Sequence, residues 1–209
     1  MTYLTQAMLP VDVALRVGIK DVYDWHQAVW KTFPGRDGDK REFLVRVDQK
    51  DCFYRLLIVS PVEPVKPDWL PAGADVWKTK PIPENYFKHG RYRFQLRVNP
   101  TKKVKSFGPD GQPKKNGRRV PLVKREDLVE WLKRKGDAGG FKVEEDSLRI
   151  LGGGRERFSK QGAQGVHSSV DFEGELTVTT GTKFHATFAA GIGSAKAFGF
   201  GLLVIAPIG

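Results

Sequence analysis

The chain has 209 residues, 40% of them hydrophobic and 28% charged, with a formal net charge of +11. That balance fits a folded protein with one large core or two small ones, and it excludes an intrinsically disordered chain. A lone cysteine, Cys52, excludes an internal disulfide framework and a thiolate metal cage, and is expected to be buried or inert.

The first ten residues carry no positive flank and no long apolar stretch, and the longest apolar run, Phe198 to Ile208, is too short to span a bilayer. A soluble cytoplasmic protein with no membrane role is expected. The charge is concentrated: Lys88 to Lys135 holds sixteen basic residues against four acidic ones, so this segment carries the whole excess. Clustered Lys and Arg release counterions from phosphates, which makes a nucleic acid the natural partner.

In chain order, Tyr3 to Met8 reads as a strand. Asp21 to Phe33 reads as a helix, with Asp21 as N-cap and Pro34-Gly35 ending it. Val22, Trp25, Val29 and Phe33 share its core face, and Tyr23, His26 and Trp30 form a neighbouring stripe. Glu42 to Asp48 and Phe53 to Ser60 follow as strands. Val62 to Pro83 is rich in proline, with one helical turn expected at Asp68 to Ala72.

The strand expected at Arg91 to Asn99 alternates, with Arg91, Arg93, Gln95 and Arg97 on one face and Tyr92, Phe94, Leu96 and Val98 on the other. Lys102 to Arg119, centred on Gly108-Pro109-Asp110-Gly111, suggests a mobile basic hairpin or loop. Arg125 to Lys135 fits a helix, Phe141 to Leu151 supplies further strand material, Gly152 to Gly165 reads as a loop, Val166 to Thr179 as a strand, Lys183 to Ala190 as a helix and Leu202 to Ala206 as a closing strand. The count suits two copies of strand-helix-strand-strand-helix-strand, the second less regular than the first.

Tyr23 and His26, three apart on one helix, can point at one small site. Histidine titrates near pH ~6.5 and can move a proton at neutral pH, whereas the bland reading makes both residues half-buried packing groups. Near the C-terminus, Gly191-Ile192-Gly193-Ser194-Ala195-Lys196 through Gly199-Phe200-Gly201 precedes the last strand and so fails as a dinucleotide fingerprint. Either its backbone and Lys196 approach a phosphodiester chain, or it is a tight turn packed on a helix. His89, His167 and His185 lie far apart and no clustered acidic set is visible, so neither a metal nor a cofactor is expected.

Several blocks together resemble the CRISPR repeat-RNA endonucleases of type I-E systems, the CasE branch of the RAMP proteins. They are Val22-Tyr23-Asp24-Trp25-His26-Gln27-Ala28-Val29-Trp30 with Phe33-Pro34, Phe94-Gln95-Leu96-Arg97-Val98-Asn99-Pro100, Arg119-Val120-Pro121-Leu122, Phe172-Glu173-Gly174-Glu175-Leu176, and the glycine-rich segment through Leu203. The resemblance spans nearly the whole chain. It implies an α+β fold of two tandem ferredoxin-like domains, divided here as 1–88 and 89–209. It also implies metal-independent cleavage of the repeat hairpin of precursor CRISPR RNA at the 3′ base of its stem, and a place beside other subunits of a surveillance complex. By the same resemblance His26 is catalytic with Tyr23 beside it, and Lys160, the only lysine in the loop before Phe172-Glu173-Gly174, joins them. The RNA-binding set expected is Arg91, Arg93, Arg97, Lys102, Lys103, Lys105, Lys114, Lys115, Arg118 and Arg119, with Gly191, Gly193, Lys196, Gly199 and Gly201 of the glycine-rich segment. The alternative from another class is a non-catalytic RNA-binding or assembly subunit on the same fold.

Overall fold

The computed structural model describes all residues except 37, 71–75, 113, 116, 161–162 and 209, and the side chains of 156–160 and 163–164 are also outside the description. The first sheet is antiparallel in the order β4-β1-β3-β2, built from β1 (Thr2–Pro10), β2 (Leu44–Gln49), β3 (Phe53–Ser60) and β4 (Trp77–Ile82). This is the ferredoxin-like order, in which the connection from β1 to β2 carries the helices α1 (Val11–Arg16) and α2 (Val22–Trp30) across one face.

β3 is apolar nearly throughout because both faces of the sheet are covered. Leu56 and Ile58 face α1 and α2 together with Ala7, Leu9, Trp25 and Val29. Leu57 and Val59, with Leu44 of β2, join the core of the second half instead. A strand buried on two faces loses the period-two alternation and reads as a continuous run.

The second sheet runs β11-β5-β10-β8, again with antiparallel neighbours. Its strands are β5 (Arg91–Val98), β8 (Phe141–Val143), β10 (Ala163–Val178) and β11 (Leu203–Pro207), and β9 (Arg149–Lys160) pairs with β10 beyond β8. The helices α3 (Arg125–Gly139) and α4 (Gly181–Ala190) complete a second ferredoxin-like unit. β5 alternates as expected: Tyr92, Phe94, Leu96 and Val98 are buried, while Arg91, Arg93 and Gln95 are exposed. β6 (Thr101–Val104) and β7 (Arg118–Pro121) form a separate two-stranded hairpin inserted between β5 and α3.

Five expectations change. The helix α2 stops at Trp30, although Phe33 beyond it is still buried. The loop expected from Gly152 to Gly165 is strand instead: β9 runs from Arg149 to Lys160 and hairpins onto β10, with residues 161 and 162 outside the description. The first unit also departs from the expected pattern, since among the described residues no helix joins β3 to β4; the turn expected at Asp68 to Ala72 is seen only as far as Leu70, whose N–H donates to Pro67 O at 3.1 Å, and residues 71–72 lie outside the description. The short helix α1 and the strand β4 are additions to the expected elements. Cys52 is exposed in the turn between β2 and β3 rather than buried.

Candidate active site

The sequence sets the start of α2 firmly. The Asp21 carboxylate accepts from Tyr23 N at 2.8 Å and Asp24 N at 3.0 Å, and Asp24 accepts in return from Asp21 N at 3.2 Å, a reciprocal capping box. Trp25, Ala28 and Val29 then anchor the helix in the core. Tyr23, His26 and Trp30 are left on the half-buried flank.

His26 lies in an aromatic corner. Its Nε2 accepts a hydrogen bond from Trp30 Nε1 at 3.1 Å, and its ring centroid is 5.9 Å from that of Phe43. Trp30 meets Phe43 edge-on at 5.0 Å, and Phe33 stacks on Phe43 at 5.1 Å. The Arg41 guanidinium sits 5.7 Å from the Phe43 ring centre and donates through Nη1 to the Phe43 carbonyl. Burial lowers the Arg41 pKa.

Arg41, in the segment before β2, Lys135 of α3 and Lys196 near the C-terminus interact electrostatically here. The Lys196 pKa is lowered by burial first, then by repulsion from Arg41 and from Lys135 of α3, while its Nζ donates to Ala190 O at 2.7 Å. Like charges that repel one another in this way favour an anionic ligand. The turn Lys196–Phe198 also packs against α2 and β2, and α2 lies beside β9. The fold thus brings the end of the chain and the strand that finishes at Lys160 to the helix bearing Tyr23 and His26; the Lys160 side chain is among those not described. Next to them, a cleft of 390 Å³ is lined by Lys20, Trp25, Tyr54, Arg97, Ser169 and Phe198 among others.

The glycine-rich segment is tightly packed at two of its glycines and open at the other two. Gly191, Gly193, Gly199 and Gly201 all have positive φ, between 75° and 86°. Gly191 and Gly201 are packing positions: a Cβ would lie 2.7 Å from Leu44 Cδ2 at the first and 2.5 Å from Ile192 O at the second, and Gly201 N already donates to Arg97 O at 2.8 Å. At Gly193 and Gly199 a Cβ would meet nothing closer than 3.4 Å.

The basic residues divide into two groups. Lys102, Lys103, Lys105, Lys114, Lys115, Arg118 and Arg119 are exposed on the β6–β7 hairpin. Lys103 stands directly across from Arg119, a like-charge pair that destabilises a free hairpin and suits a bound polyanion. On β5 the picture differs, because β10 supplies acids to the same face. Arg91 Nη2 is 2.8 Å from Glu175 Oε2, and Arg93 lies opposite Glu175 in the register. Arg97 is engaged on two sides: Nε donates to both Asp171 oxygens at 3.1 and 3.2 Å, and Nη1 donates to Val47 O at 2.8 Å.

Arg97 belongs to a charge network that the sequence did not announce. The buried Arg46 Nε donates to Asp48 at 2.9 and 3.1 Å, Arg55 Nη2 donates to Asp48 at 2.7 Å, and Arg97 Nη2 lies 3.4 Å from Asp48. Burial alone would raise the Asp48 carboxyl, but Arg46, Arg55 and Arg97 together outweigh it and hold the group below the usual carboxylate range. Asp48 and Asp171 thereby tie the first sheet to the second. Among the described residues, no three His, Cys, Asp or Glu side chains are gathered as metal ligands, and no helix is long and apolar enough to cross a membrane.

Similarity to known proteins decides the family. A model of the family described as CRISPR associated protein matches residues 2–207. The CRISPR system Cascade subunit CasE of Escherichia coli is 33% identical over 203 residues, covering 94% of this chain and 97% of the relative. The chain belongs to the CRISPR-associated CasE/Cse3 family. The CRISPR-associated endoribonuclease Cse3 of Thermus thermophilus is 30% identical over 227 residues, covering 98% of this chain and all of the relative. A structure of the CRISPR endoribonuclease Cse3 bound to 19 nt RNA superposes with a TM-score of 0.75 at 27% identity, covering 99% of each chain. The tandem ferredoxin-like fold is the family fold. Arg41 and Phe43 at the site escape a reading of the sequence, because only the folded chain sets them beside α2.

Proposed function

We propose that the chain is a metal-independent endoribonuclease that binds the repeat hairpin of precursor CRISPR RNA and cuts it at the 3′ base of the stem. The observation that carries this reading is the half-buried Tyr23 and His26 on a capped helix, beside a cationic cluster, in a chain matched end to end by an endoribonuclease. The 2′-hydroxyl upstream of the cut attacks its own 3′-phosphate. As the O2′–P bond forms, the P–O5′ bond breaks, leaving a 2′,3′-cyclic phosphate and a 5′-hydroxyl.

His26 moves a proton, Tyr23 positions the reacting groups and Lys160 offsets charge on the phosphorane. The nucleophile belongs to the RNA, so the protein mainly aligns it. Residues 1–88 carry the catalytic helix and 89–209 the basic hairpin and glycine-rich segment, and the protein works in the cytoplasm with other subunits of a surveillance complex. The test is incubation of the purified protein with an end-labelled repeat hairpin in EDTA. Cleavage with cyclic-phosphate and 5′-hydroxyl ends is expected; activity lost in EDTA and restored by magnesium would refute the mechanism.

Recognition is assigned chiefly to the β6–β7 hairpin. Exchanging Lys102, Lys103, Arg118 and Arg119 for glutamate should weaken hairpin binding and flatten its salt dependence, by about 0.7 to 0.9 in the log-log slope for each phosphate no longer neutralised. The same exchange at Arg91 and Arg93, which face Glu175, should change the slope less. Filter binding at several salt concentrations separates the two surfaces, and an unchanged slope in the hairpin variant would move the RNA elsewhere.

A further inference from the structure

The contact between Trp30 and His26 is chemically more restrictive than ring packing. Trp30 Nε1 lies 3.1 Å from His26 Nε2, one helical turn away on the same flank of α2. An indole nitrogen can only donate. His26 Nε2 therefore offers its lone pair, and the neutral ring carries its proton on Nδ1. Phe43 braces both rings, at 5.9 Å from His26 and 5.0 Å from Trp30.

A neutral imidazole has a single lone pair, and here it is committed to Nε2. A general acid would need the imidazolium, whose Nε2–H would meet the indole N–H head to head. Two donors facing one another across that contact cannot hydrogen-bond, so the imidazolium gives up the bond that the neutral ring makes.

We infer that Trp30 is a positioning residue that holds His26 as a general base acting through Nε2, the indole N–H standing where the RNA 2′-hydroxyl comes to donate. The inference rests on the endoribonuclease reading above. On binding, the O2′–H replaces the indole N–H at Nε2, a donor for a donor. Its proton passes to Nε2 as O2′ bonds to phosphorus, and the electron pair of the P–O5′ bond leaves on O5′, which takes a proton from water.

The decisive substrate is a repeat hairpin with sulfur in place of the bridging 5′-oxygen at the cut, because a thiolate leaves without a proton. If His26 is the base, His26→Ala is slowed by a similar factor on the sulfur and oxygen hairpins. Recovery on the sulfur hairpin to within about tenfold of the unsubstituted protein would make His26 the acid and overturn the inference, while the endoribonuclease reading stood. A normal rate for His26→Ala on the oxygen hairpin would bring down that reading itself.

Trp30 is tested by replacing it with benzothienylalanine, which keeps the shape and exchanges N–H for sulfur, and by Trp30→Phe. ¹⁵N NMR of the RNA-free protein should show the His26 proton on Nδ1, and both replacements should move it toward Nε2. The single-turnover rate should fall about tenfold, the scale of one hydrogen bond removed, with hairpin affinity unchanged. A proton found on Nε2 in the unsubstituted protein, or a benzothienyl variant with unaltered tautomer and rate, would overturn the role of Trp30.

Discussion

His26→Ala should cut the repeat hairpin roughly 10²- to 10⁴-fold more slowly than the unsubstituted protein, the loss typical of removing an acid or base, while binding it nearly as tightly. The reason is that a proton-transferring group is needed in the transition state and adds little to ground-state affinity. Tyr23→Phe should show a smaller version of the same pattern, since the ring is kept. RNA with a single 2′-deoxy sugar just upstream of the cut should bind and not be cut at all, because the nucleophile is gone. A packing role for His26 among Trp30 and Phe43 makes the opposite forecast: a lower melting temperature with an unchanged rate for the folded fraction. Melting temperature, affinity and single-turnover rate on one preparation decide between them.

The largest effect on stability is expected at Asp48. Asp48→Ala leaves the buried Arg46, and with it Arg55 and Arg97, without their shared carboxylate. Breaking a buried ion pair on one side costs about 3–5 kcal/mol. For a chain of this size that corresponds to a fall of roughly 6 to 20 °C in melting temperature. Because the folded-state Asp48 is held below its unfolded value, its contribution is fully present above about pH 4 and is lost as the pH falls through the folded value. The gap between variant and parent should therefore be widest near neutrality and close in acid. A gap that does not narrow as the pH is lowered, or no gap near pH ~7, would show that the network does not stabilise the fold through charge.

The parts of the fold that were legible are those where one local pattern decides the structure. The alternation in Arg91–Val98 and the Asp21 cap of α2 needed no tertiary information. The misses have physical causes. The six-residue helix α1 is too short to display a period, and β4 contains Pro81, tolerated because β4 is an edge strand whose outer side needs no donor. Gly152-Gly153-Gly154 reads as a loop but is strand: a Cβ at Gly153 would lie 1.4 Å from Ser169 O, next to the register shift between Ser168 and Val170. Glycine there marks close approach of two backbones, not a turn.

At the site, Tyr23 and His26 could be named from helical spacing and family resemblance. Arg41, Phe43 and Lys135 could not, since their relation to α2 is made only by tertiary packing. The acids that face the arginines of β5 are hidden from a reading of the sequence for a similar reason. Glu175 lies 84 residues beyond Arg91 and Asp171 lies 74 beyond Arg97, and strand pairing alone sets each acid against its arginine.

The two-sided burial of β3 bears on how the chain folds as it is made. The first sheet has all four strands once residue 82 has been synthesised, yet the cluster that takes in Leu44, Leu57 and Val59 is, among the described residues, built mostly by the second unit. That unit cannot close early, because its central strand β5 pairs with β10 and with β11 at Leu203–Pro207. Such long-range pairing is slow to form, and an apolar face left waiting invites association with other chains. During synthesis the first half is therefore the vulnerable part, and the last strand to emerge completes the protection of one of the first.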